Sequence, residues 1–141
     1  MRTVNLVVML AVTVISALMG AINLLLGDHP RHLPMMAALL SLILISLAYA
    51  LLLVNHTAKG SGGQLLILLL YMVSAAAGFV ACASLGLVPY TMESQAVSFL
   101  AALNSVWRTV LTFGVPAAGS YALAAFYLRR RSASLRHLSD Q

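Results

Sequence analysis

Four apolar runs, each of about 20 residues or more, constrain this chain more than any other feature of it. They cover residues 4–26, 33–54, 65–88 and 106–128. At ~1.5 Å rise per residue, ~20 residues cross the ~30 Å hydrocarbon core of a bilayer. Lipid offers no water to a peptide group, so each run must satisfy its own amides and carbonyls as a helix. No stretch alternates polar and apolar residues, which removes a β-barrel. The expected fold class is an all-α membrane protein, a four-transmembrane-helix bundle of up-down-up-down topology. Residues 1–141 then form a single membrane domain.

Composition agrees with the runs. Hydrophobic residues make up 62% and charged residues 8% of the chain, against about 45–50% and about 25% in soluble domains. The net charge of +5 is no footprint for nucleic acid. Arg129, Arg130, Arg131 and Arg136 lie in a basic tail, 129–141, directly after the last run. There they orient a helix and meet anionic headgroups, so membrane lipids are the expected partners. Cys82 is the single cysteine and excludes an intramolecular disulfide; in an apolar run its thiol acts as a small hydrophobe. The first run reads as a retained helix rather than a signal peptide. It is too long for an h-region, and Met19 stands at −3 from Ala21 where a small residue would be needed.

The breaks between runs carry turn chemistry. Gly27, Pro30 and Pro34 separate the first pair, and Gly60, Ser61, Gly62 and Gly63 read as a flexible polar turn before the third. Pro89 is expected to end the third helix. Thr91 then reads as an N-cap with Glu93 in the first turn, where a helix dipole favours negative charge. Residues 92–105 are expected to form a short outer interfacial helix, or a bent extension of the fourth span. Lys and Arg placement orients the whole. With the N-terminus inside, Arg2, Lys59, Arg129, Arg130, Arg131 and Arg136 fall in the cytoplasm, and Arg31 and Arg108 outside. Both termini are thus expected to be cytoplasmic, in a plasma membrane of bacterial inner-membrane type. Trp107, Arg108, Tyr127, Arg129, Arg130 and Arg131 serve as lipid and topology anchors.

No Asp, Glu, Lys, Arg or His lies in the middle of any run. Such groups build proton relays, ion pathways and haem ligation. Thr13, Ser16, Ser41, Ser46, Ser74, Cys82, Ser84, Thr112 and Ser120 remain, each suited to bonding its own or a neighbouring helix. Asn5 and Asn23 are expected near headgroup water. Ser74, Gly78, Cys82 and Gly86 recur every four residues along the third run, and small residues let backbones approach closely. Ser16 and Gly20 in the first run, and Gly114 and Ala118 in the fourth, offer similar packing surfaces. Asp28, His29 and His32 in an outer loop, with Glu93 from the other, are donors a divalent metal could use. Pro30 interrupts any helical spacing among them, and a solvated loop explains them as well.

The sequence contains no nucleophile–base pair and no glycine-rich phosphate loop. The expectation is a protein that is not an enzyme and carries no cofactor. It serves as an accessory, assembly or regulatory subunit of a larger membrane complex, and its partners are other transmembrane subunits or itself. Two alternatives need the same architecture: a small homo-oligomeric channel or transporter, and a membrane immunity protein that binds a membrane-active toxin.

Overall fold

A computed structural model describes residues 1–26, 32–56 and 61–139. The described residues form four helices: α1 (Arg2–Leu26), α2 (Leu33–Asn55), α3 (Ser61–Gln95) and α4 (Phe99–Ser139). All four are long and apolar enough to cross a membrane, so the chain is a membrane-embedded all-α protein. Pro34 stands in the first turn of α2, where its missing N–H costs no bond. At the other end of α2 the His56 amide donates to the Leu52 carbonyl at 3.0 Å.

The helices pack in sequence order. α1 lies against α2, α2 against α3 and α3 against α4, while contacts between α1 and α3 or α2 and α4 are few. α2 and α3 are therefore the most buried helices and α4 the least. One end of the bundle gathers a shared core. Met9 comes from α1, Tyr49 and Leu53 from α2, Ile67 and Tyr71 from α3, and Ala124 and Leu128 from α4. Polar bonds tie the same end. Asn5 donates its amide to the Gln64 backbone carbonyl at 2.9 Å and to the Gln64 side-chain oxygen at 3.1 Å. Arg2 donates to the Leu53 carbonyl at 2.6 Å, near the C-terminus of α2. Asn5 is thus buried between helices rather than wetted by headgroups.

The α3–α4 connection departs from expectation. α3 runs through Pro89 to Gln95, and the break falls at residues 96–98. Thr91 is no N-cap; its hydroxyl donates to the Leu87 carbonyl one turn back, at 2.9 Å. Glu93 sits in the last turn of α3 instead of the first turn of a following helix. The cap of α4 is Ser98, whose hydroxyl accepts from the Ala101 amide at 3.4 Å. The turn itself needs a left-handed residue, and Ala96 supplies it with φ 51°. Pro89 removes one backbone donor without stopping α3, a loss helices in lipid tolerate. The expected glycine turn also differs, because Gly62 and Gly63 lie inside α3. Residues 129–139 of the basic tail are not separate from the last span, since α4 continues to Ser139.

Candidate functional site

Ser74 is the polar centre of the bundle. It lies on α3, fully buried, facing Tyr49 of α2 on one side and the backbone of α4 on the other. Its hydroxyl donates to the Ala117 carbonyl at 2.8 Å. That proton is then committed, so the 2.9 Å bond to Tyr49 must run from the phenol to Ser74 Oγ. A relay from α2 through α3 to α4 results, and each interhelical bond of this kind contributes ~0.6 kcal/mol in lipid. Ser46 and Tyr71 form a second α2–α3 bond at 2.7 Å. Tyr49 also meets Tyr71 and Tyr121 edge to face, with ring centroids 5.5 and 5.4 Å apart.

Beyond this aromatic cluster, away from the shared core, the three helices part. A cleft of about 600 Å³ opens between them, within the usual range for small-molecule pockets. α2 lines it from Ala37 to Tyr49, α3 from Ser74 to Leu85, and α4 from Gly114 to Tyr121. The lining is almost wholly apolar. Three of its four hydroxyls are engaged: Ser41 donates to the Ala38 carbonyl at 2.7 Å, and Tyr49 and Ser74 belong to the relay, while Tyr121 is exposed.

The small-residue positions of α3 therefore divide. Gly86 lies directly beneath the start of α2. A Cβ there would stand 2.5 Å from Pro34 Cα and 2.8 Å from the Leu33 carbonyl oxygen, both backbone. Gly78 faces the side-chain tip of Ile45, with Ala117 Cβ at 4.0 Å on the far side. Cys82 lines the cleft. Gly114 lines it too, and a Cβ on it would meet nothing within 4 Å; Ala118 is its neighbour on the same wall. In α1, Ser16 and Gly20 are buried, yet a Cβ at Gly20 would also meet nothing within 4 Å. Gly63, read from sequence as a flexible turn, is a close-approach position under Tyr127 and Arg131.

The anchor residues occupy two places. The Arg108 guanidinium lies over the Trp107 ring, 5.8 Å from its centroid. Arg131 donates to the Tyr127 hydroxyl at 2.8 Å and lies over that ring, while Arg129 and Arg130 are exposed. Asp28 and His29 fall outside the described residues, so the metal candidates cannot be assembled with His32 and Glu93. Among the described residues, no cluster of three or more His, Cys, Asp or Glu could hold an ion. No family model matches this chain, and no curated protein or solved structure is significantly similar to it. The relay and the cleft escaped sequence reading, although Tyr49 in an apolar run was a usable signal: a phenol in lipid needs a partner.

Proposed function

We propose that this chain is a non-catalytic subunit of a larger membrane assembly, serving its stability, assembly or regulation. The observation that carries this reading is the position of α4. It is 41 residues long, packs mainly on α3 with only a few contacts to α2, and is the least buried of the four. Val115, Leu123 and Phe126 stand exposed along it, and Phe99 and Leu100 at its start. At ~1.5 Å per residue α4 extends for about 60 Å, roughly twice the hydrocarbon thickness. A helix that long, covered mainly on its α3 side, offers a partner a face both within the bilayer and beyond it.

In this reading the chain crosses a bacterial inner membrane up-down-up-down, with both termini in the cytoplasm. Residues 92–105, shared between the end of α3 and the start of α4, lie at the outer interface. A photo-crosslinking amino acid at Leu123 or Phe126, activated in native membranes, tests the idea. One distinct membrane protein should be captured from α4, and none from Leu10 or Leu18 on α1. Capture of copies of this chain alone, together with solute flux through the purified protein in liposomes, would favour a homo-oligomeric pore and overturn the proposal.

A further inference from the structure

We infer that the cleft between α2, α3 and α4 is a specific binding site for one acyl chain of a membrane phospholipid, whose headgroup lies at Trp107 and Arg108. Three observations converge on that occupant. The first is polarity. The lining is almost wholly apolar, and the hydroxyls of Ser41, Tyr49 and Ser74 are bonded within the protein. Along most of the cleft a ligand therefore meets apolar surface, with the Tyr121 hydroxyl at the end that the aromatic cluster closes.

The second is shape. The α2 wall runs thirteen residues from Ala37 to Tyr49, about 18 Å at helical rise. The cleft is thus long and open along its side to the bilayer, a form that an extended hydrocarbon chain can follow. An empty space of this kind would cost its walls their dispersion contacts, and the surrounding bilayer supplies chains to fill it.

The third is what stands above the cleft. The Tyr49–Tyr71–Tyr121 cluster closes one end. Toward the other, Trp107 precedes Gly114 by seven residues and so continues the same face of α4 two turns on. Tryptophan seeks the headgroup level. The Arg108 guanidinium, held over that ring, carries the charge a lipid phosphate would pair with.

Gly114 makes the inference testable, because a large side chain there would enter the cleft without striking protein. Gly119 is the matched control: a Cβ on it also meets nothing within 4 Å, and it does not line the cleft. The probe is a phosphatidylglycerol bearing a mid-chain diazirine, photolysed with the purified protein in nanodiscs, with labelled peptides mapped by mass spectrometry. In the wild type, peptides covering 37–49 and 74–85 should be labelled well above those covering 4–18 of α1, which report surrounding lipid. Gly114→Phe should cut labelling of the cleft at least fivefold and leave α1 unchanged, and Gly119→Phe should behave as wild type. Cys82 gives a second readout without any substitution. Adding phosphatidylglycerol to delipidated wild-type protein should slow its reaction with N-ethylmaleimide at least fivefold. Cleft labelling no higher than α1 labelling, labelling indifferent to Gly114→Phe, or a thiol unprotected by lipid would each overturn the inference.

Discussion

At the scale of single residues, the same residue type does opposite jobs on facing helices. Gly86 is held against backbone, while Gly114 borders open space. Gly86→Ala should therefore destabilise the protein by about 1–3 kcal/mol, the usual cost of overpacking. Gly114→Ala should change stability by less than about 0.5 kcal/mol. Thermal melts of both variants in one detergent check the contrast, and equal losses would mean that glycine spacing alone sets tolerance. The four-residue spacing of Ser74, Gly78, Cys82 and Gly86 was legible in the sequence, but the fate of each position was not. That fate depends on which atoms α2 and α4 bring opposite: the backbone of Pro34 at Gly86, the movable tip of Ile45 at Gly78, and a cavity at Cys82. Spacing within one helix carries no information about the contour of the next.

At the scale of elements, the existence of the four helices could be read directly, because lipid leaves the backbone no alternative. Their ends could not. The obvious breaker, Pro89, lies within α3, and the true stop at Ala96 carries neither glycine nor proline. Outside water, losing one amide at a proline is a smaller matter than opening a whole turn, so local breakers weigh less than they do in soluble chains. The turn retains the mark of its unsuitable residue. Alanine in the left-handed region costs roughly 1 kcal/mol relative to glycine. Ala96→Gly should accordingly raise the thermal midpoint, while Ser98→Ala, which removes the α4 cap, should lower stability by about 0.5–2 kcal/mol. Opposite signs from two substitutions two residues apart would locate the hairpin at 96–98; a loss from Ala96→Gly would mean that the turn is built otherwise.

At the scale of the molecule, the charge bias makes a statement about sides. Reporter fusions at Gln141 and near Lys59 should read cytoplasm, and fusions near Arg31 and Glu93 should read the exterior, from the placement of Lys and Arg. An exterior signal at Gln141 would reverse the proposed orientation. The relay from Tyr49 through Ser74 to the Ala117 carbonyl has a consequence in time as well as in space. It draws one atom from each of three helices, and α4 is synthesised after the other two. A half-made chain can join Tyr49 to Ser74, but the serine proton has no carbonyl to meet until α4 arrives. Closure of the relay thus waits for α4, and a chain made only through α3 leaves the seam between α2 and α3 with one bond still to form.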